Sequence, residues 1–106
     1  PYCTTKHALN GLTKVVAQEV GTLGITVNAL CPGGILTDIM QEQGPAAAEQ
    51  LGLSFEDFLT MMQAPSAIKR MNTVEDCALV AVLLASEAGA GITGSLISID
   101  GGQSPY

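Results

Sequence analysis

Apolar residues recur from Cys3 to Leu23 at Leu9, Leu12, Val16, Val20 and Leu23, and Ala8 and Val15 widen the stripe. That spacing is a helical period, and Gly21 and Gly24 stand where they would stop it. The pattern then changes. Residues 25–30 are short, apolar and partly β-branched, and Cys31-Pro32-Gly33-Gly34 cuts them off abruptly. This predicts a strand buried on both faces. Residues 35–72 are less regular. Within them Ser54-Phe55-Glu56-Asp57 resembles a capping box that opens a short helix, which Pro65 ends. Thr73-Val74-Glu75-Asp76 is a second such opening, with acidic residues set against the positive end of the helix dipole. The helix it starts runs through Ala78–Ala85 to Gly89, and a second strand follows at Ser95–Ile99, closed by Asp100-Gly101-Gly102.

The order is helix, strand, irregular segment with a helix, helix, strand. Two strands joined by a long helical crossover form one βαβ unit, expected parallel and right-handed. The class is therefore α/β. Two parallel strands do not make a stable sheet alone, so the chain reads as one piece of a single domain.

Composition narrows the function. The chain has 106 residues, a net charge of −6, and only Lys6, Lys14, Lys69 and Arg70 as basic side chains. No basic face exists for a nucleic acid, and an anionic membrane would repel the chain. The longest apolar run, Ala78–Ala85, falls far short of the roughly 20 residues that span a bilayer. No cationic, apolar leader precedes Pro1-Tyr2, so no signal or transit peptide is expected. Charged residues are 13% of the chain against 47% apolar, about half the usual ~25% charged. So little charge implies that further chain or a second subunit covers much of this surface. Cys3, Cys31 and Cys77 are odd in number and match no zinc spacing, which predicts free thiols in a cytoplasmic protein and no metal.

Candidate chemistry begins at Tyr2 and Lys6. Four residues apart at a helix start, they share one face with Cβ atoms ~5–6 Å apart. A phenol with pKa about 10 is a poor base at neutral pH unless its anion is stabilised. Bringing it to neutrality needs ~4 kcal/mol, and one ammonium ~4 Å away at an effective dielectric of ~20 supplies that much. Spacing alone makes no site, since a surface tyrosine with a solvated lysine one turn on has the same pattern. The context adds to it: an amphipathic helix, a strand ending Asn28-Ala29-Leu30-Cys31-Pro32-Gly33-Gly34-Ile35-Leu36-Thr37, and a late Ile92-Thr93-Gly94 before Ile97-Ser98-Ile99-Asp100-Gly101-Gly102. This ordered set resembles the short-chain dehydrogenase/reductase family, from its Tyr-x-x-x-Lys motif to its carboxy terminus.

The resemblance implies the carboxy-terminal part of a Rossmann-type, doubly wound parallel sheet, spanning residues 1–106. It implies an NAD- or NADP-dependent oxidoreductase that interconverts a secondary alcohol and a ketone. Tyr2 matches the general acid/base. Lys6 matches the residue that lowers its pKa and holds the nicotinamide ribose. Pro32 and Gly33 match the turn beside the nicotinamide ring, and Ile35 and Thr37 the positions that hold the carboxamide and diphosphate. Sites in open α/β sheets lie beyond the carboxyl ends of strands, where Pro32–Thr37 fall. Gly33 and Gly34 could equally make an ordinary turn, and Thr37 an ordinary helix cap. His7 points off the Tyr2–Lys6 face, Asn28 is expected to bond backbone, and nothing evident activates Cys31.

Gly89-Ala90-Gly91-Ile92-Thr93-Gly94 fits the dinucleotide fingerprint G-x-G-x-x-G, but it follows a helix and precedes a strand, the reverse of what pyrophosphate binding requires. The family's glycine-rich nucleotide loop and its catalytic serine and asparagine lie upstream of the tyrosine. The 106 residues by themselves are therefore expected to be inactive. Residues 38–63 match the variable substrate lid, in which Gly44, Pro45, three alanines and Gly52 are expected to interrupt any long helix. The lid's length and Lys6-His7-Ala8 resemble the 3-hydroxybutyrate dehydrogenase group, which implies a small hydroxy acid substrate contacted by Gln43. A 3-oxoacyl-carrier-protein reductase is the nearest competitor. A non-catalytic assembly module is the reading from another class, and a homo-oligomer, dimer or tetramer, is implied in either case.

Overall fold

The structure, a computed structural model, describes residues 1–104. Among the described residues, four α-helices and two strands follow in chain order: α1 (Tyr2–Val20), β1 (Ala29–Pro32), α2 (Asp38–Gln50), α3 (Phe55–Gln63), α4 (Val74–Ala85) and β2 (Leu96–Ile99). The chain divides into two compact units, one of Pro1–Cys31 with Ala78–Ile97, the other of Pro32–Cys77 with the chain from Ser98 onward. Both strands begin in the first and end in the second. They pair in parallel: Ala29 N–H donates to Ser95 O at 2.9 Å, and Gly33 N–H to Ile99 O at 3.1 Å. Donors alternate along a strand, so Pro32, which has no N–H, costs this ladder nothing.

In the first unit α1 ends in a 3-10 turn at Gly21–Leu23, and Gly24 closes it at φ 74°. Only Ala17 of α1 is buried, and it packs against Gly94. Leu9, Leu12 and Val15 remain 51–56% exposed, and on α4 so do Leu79 and Val82, at 71% and 67%. The strand expected at residues 25–30 begins later, at Ala29. Side chains take over the pairing before that point. Thr93 Oγ1 accepts from Val27 N–H at 3.0 Å, Asn28 Nδ2 donates to Ile92 O at 2.7 Å, and Ser95 N–H donates to Asn28 Oδ1 at 3.1 Å. Asn28 thus bonds backbone, just ahead of the strand. Burial on both faces is not found either, since no residue of β1 or β2 is fully buried and Ile25 is half exposed.

In the second unit residues 38–63 are interrupted as expected at Gly52, which takes φ 69° between two helices, but not at Gly44, Pro45 or the alanines. Helix α2 runs unbroken for 13 residues through Gly44 and Pro45. An interior proline removes one helical bond, here to the carbonyl of Gln41, at ~3 kcal/mol. Against that loss stand a cap, three alanines and a packing contact. Thr37 Oγ1 accepts from Met40 N–H at 3.2 Å, alanine has the best helix propensity, and Gly44 receives the ring of Phe55. A Cβ on Gly44 would lie 2.4 Å from Phe55 Cε2. Ala48 and Phe58 complete this small core between α2 and α3.

Side-chain caps form at both expected helix starts, and that at Thr73 is a reciprocal capping box. Ser54 Oγ accepts from Asp57 N–H at 3.0 Å to open α3. At α4, Thr73 Oγ1 accepts from Asp76 N–H at 3.2 Å and Thr73 N–H donates to Asp76 Oδ2 at 2.9 Å. Arg70 pairs with the same carboxylate at 2.7 Å. That guanidinium, together with the Thr73 N–H, holds the Asp76 carboxyl well below its usual range, at about 2. Among the described residues no helix is long and apolar enough to cross a membrane.

Candidate active site

Helix α1 carries the first group. Tyr2 opens it, and Lys6 lies one turn on with Nζ 5.4 Å from the centre of the Tyr2 ring. The i, i+4 spacing of a helix produces this approach, and a cation within ~6 Å of an aromatic face is attracted to it. Tyr2 is 72% exposed, and among the described residues Lys6 forms no ion pair. The first turn's backbone is satisfied by other side chains: Thr5 Oγ1 donates to Tyr2 O at 2.8 Å, and His7 Nδ1 lies 2.9 Å from Cys3 O. The phenol and the ammonium therefore stay open to a ligand. His7 is committed to helix backbone, off the Tyr2–Lys6 face.

The second unit carries the other group. Pro32 ends β1 and is exposed. Gly33 is required by packing, because a Cβ there would lie 2.7 Å from the Cβ of Asp100. Asp100 is buried and its carboxylate accepts from Ser104 N–H at 2.9 Å and Gly102 N–H at 3.0 Å. These bonds, the Ser104 amide foremost, hold its pKa below the usual carboxylate value against the opposing effect of burial. Ile35 pairs in parallel with Asn72 as an isolated bridge. Thr37 caps α2; because its oxygen accepts from Met40 N–H, its own proton remains to be donated outward. A cleft of about 260 Å³ opens beside it, lined by Thr37, Ile39, Met40, Gln43, Gly44, Ala47 and Phe58. The structure thus brings Thr37 and Gln43 to one cleft, while Pro32, Gly33 and Ile35 are not among its walls.

The sequence reading missed Asn72 and Asp100. Asn72 stands just before a capping box with no signal but its polarity, whereas Asp100 was legible as part of a strand-closing turn though not as the residue that packs against Gly33. In the second unit, the Thr37 hydroxyl and the amino end of the 13-residue helix α2 are donors that suit an anionic group. Among the described residues no three His, Cys, Asp or Glu side chains group as metal ligands. Cys3, Cys31 and Cys77 are free thiols.

A family model described as enoyl-(acyl carrier protein) reductase matches residues 1–104. A solved short chain dehydrogenase family protein from Francisella tularensis subsp. tularensis SCHU S4 superposes with a TM-score of 0.90 at 28% identity, over 99% of this chain and 43% of that one. This chain belongs to the short-chain dehydrogenase/reductase family. Its α/β fold with a parallel strand pair is accordingly part of a Rossmann-type sheet. Among curated members, a D-beta-hydroxybutyrate dehydrogenase of Rhizobium meliloti (strain 1021) is 41% identical over 102 residues, 95% of this chain and 40% of that protein. A diacetyl reductase ((S)-acetoin forming) of Staphylococcus aureus (strain N315) is 39% identical over 106 residues, 96% of this chain and 40% of its own length. The L-sorbose reductase of Gluconobacter frateurii, solved with NADPH and L-sorbose, superposes at a TM-score of 0.89 and 31% identity, over 99% of this chain and 40% of that one. This family member therefore spans about two fifths of the length of the relatives it matches.

Proposed function

We propose that residues 1–106 are the carboxy-terminal part of one Rossmann-type domain in an NAD- or NADP-dependent oxidoreductase that interconverts a secondary alcohol and a ketone. The observation that carries this reading is the open Tyr2–Lys6 pair at the amino end of α1, with Lys6 Nζ 5.4 Å from the phenol ring, in a chain that the family model matches over residues 1–104. The nicotinamide cofactor supplies or accepts the hydride. In reduction Tyr2 gives its hydroxyl proton to the carbonyl oxygen, and in oxidation it takes the alcohol proton. Lys6 lies one turn away, with Nζ 5.4 Å from the Tyr2 ring, where its ammonium can donate to ribose hydroxyls. Pro32 and Gly33 form the turn beside the nicotinamide ring, and Ile35 and Thr37, the latter with its hydroxyl and the amino end of α2, would hold the carboxamide and diphosphate.

The substrate in this proposal is a small hydroxy acid such as 3-hydroxybutyrate. Support comes from the 41% identical D-beta-hydroxybutyrate dehydrogenase and from a small, largely apolar cleft that Gln43 lines together with Thr37, Met40, Ala47 and Phe58. Helices α2 and α3 would close over substrate and exclude water from the hydride path. A second reading, a 3-oxoacyl-carrier-protein reductase, shares its acyl-carrier substrate class with the description of the matching family model, enoyl-(acyl carrier protein) reductase. The open apolar faces of α1 and α4 support a homo-oligomer, and the three free thiols a cytoplasmic protein.

One experiment separates the substrate readings. Gln43→Ala in the full-length enzyme is expected to raise KM for short hydroxy acids about tenfold, the ~1.4 kcal/mol of one hydrogen bond. An unchanged KM, with turnover of acyl thioesters instead, selects the acyl-carrier reading.

A further inference from the structure

Asn72 is buried, yet it belongs to no helix or strand. Its backbone N–H donates to Gly34 O at 3.0 Å, and its carbonyl accepts from Leu36 N–H at 3.1 Å. Among the described residues, every backbone hydrogen bond that ties residues 34–36 to a distant segment runs to Asn72. Its side chain reaches the other way, with Nδ2 donating to Ile99 O at 2.8 Å. That carbonyl also accepts Gly33 N–H, at 3.1 Å, so both of its lone pairs are used. One residue therefore grips the segment after β1 through its backbone and fastens it to the end of β2 through its amide. Space-filling does not require this arrangement. A leucine or valine would keep the backbone bonds to Gly34 and Leu36 but lose the tie from residue 72 to Ile99.

We propose that Asn72 is a positioning residue: it fixes the register of residues 33–37 against β2, and with it the point at which Thr37 presents its hydroxyl and starts α2. The inference rests on the reading that this segment holds the nicotinamide cofactor. It adds a residue outside the segment, with an amide as the group that matters. Serine keeps a donor but is one bond shorter, so it would hold the register only in part. Alanine keeps both backbone bonds and loses the tie to Ile99.

The test uses the full-length enzyme with Asn72→Ala, Asn72→Ser and Thr37→Ala. Cofactor Kd is read by titrating NADH or NADPH fluorescence, beside kcat, KM and the melting temperature. Asn72→Ala should raise cofactor Kd and KM about tenfold, the loss of one buried hydrogen bond, while kcat at saturating cofactor stays within about twofold. Asn72→Ser should fall between, and it carries the measurement if the alanine variant does not fold. If Asn72 variants melt earlier but bind cofactor like the parent while Thr37→Ala binds weakly, Asn72 only supports the fold and the inference fails. If Thr37→Ala also binds like the parent, the assignment of the cofactor to this segment fails, and the inference with it.

Discussion

Two residues at the start of α1 carry the chemistry proposed for this chain, and they divide the work differently. Tyr2 offers the ionisable proton, whereas Lys6 offers charge and hydrogen-bond donors. Removing the hydroxyl in the full-length enzyme, Tyr2→Phe, is expected to abolish turnover and leave cofactor affinity close to the parent. Removing the ammonium, Lys6→Ala, should lower both. Initial rates and cofactor titration read the two effects separately, and a Tyr2→Phe enzyme that kept most of its kcat would defeat the acid/base assignment. At the same scale, Gly33 shows how a packing demand and a functional position coincide. Asp100 occupies the space that any Cβ on Gly33 would take, so glycine at this position would be required whether or not a cofactor lies beside it.

Among the elements, the amino end of α4 gives the sharpest dependence on pH. Asp76 accepts from Arg70 and from Thr73 N–H, and these bonds bring its pKa down from 3.8 to about 2. A carboxylate with a lowered folded pKa stabilises the folded state above its unfolded pKa, and that contribution is lost as pH falls through the folded value. Asp76→Asn is therefore expected to melt earlier than the parent at neutral pH. The deficit should shrink between pH 3.8 and about 2. Melting curves of both proteins across that range check it, and a deficit constant with pH would remove the ion pair from the account. Both side chains are partly exposed, at 52% and 29%, so solvent screening keeps the effect small and salt should reduce it further.

For the whole molecule the deciding fact is exposed apolar surface. Leu9, Leu12 and Val15 on α1 and Leu79, Val82 and Leu83 on α4 stand open, and among the described residues the sheet has two strands. Relatives that match this chain are about two and a half times its length, since it covers 40% of them. The 106 residues in isolation are accordingly expected to show no NAD(P)H oxidation with any ketone, and to self-associate through those faces. Purified material of the right size can be assayed directly. Steady cofactor oxidation by it would show that these residues hold a complete active site.

Local signals were enough to read α1, α3, α4 and β2 from the sequence: a 3.6-residue stripe, a serine or threonine whose hydroxyl meets an amide three residues on, or, for β2, a short apolar run closed by Asp100-Gly101-Gly102. The family was legible in the ordered set that runs from Tyr2 and Lys6 to Asp100-Gly101-Gly102. Three features were not legible, for one reason. The continuity of α2 through Pro45 depends on the ring of Phe55 lying where Gly44 has no side chain. The late start of β1 depends on Asn28 and Thr93 taking over the pairing from the backbone. The fastening of residues 34–36 depends on Asn72 and Ile99, 27 positions apart. A local pattern fixes which conformation a segment prefers, but these three outcomes were decided by contacts between segments far apart in sequence, which exist only once the chain has folded.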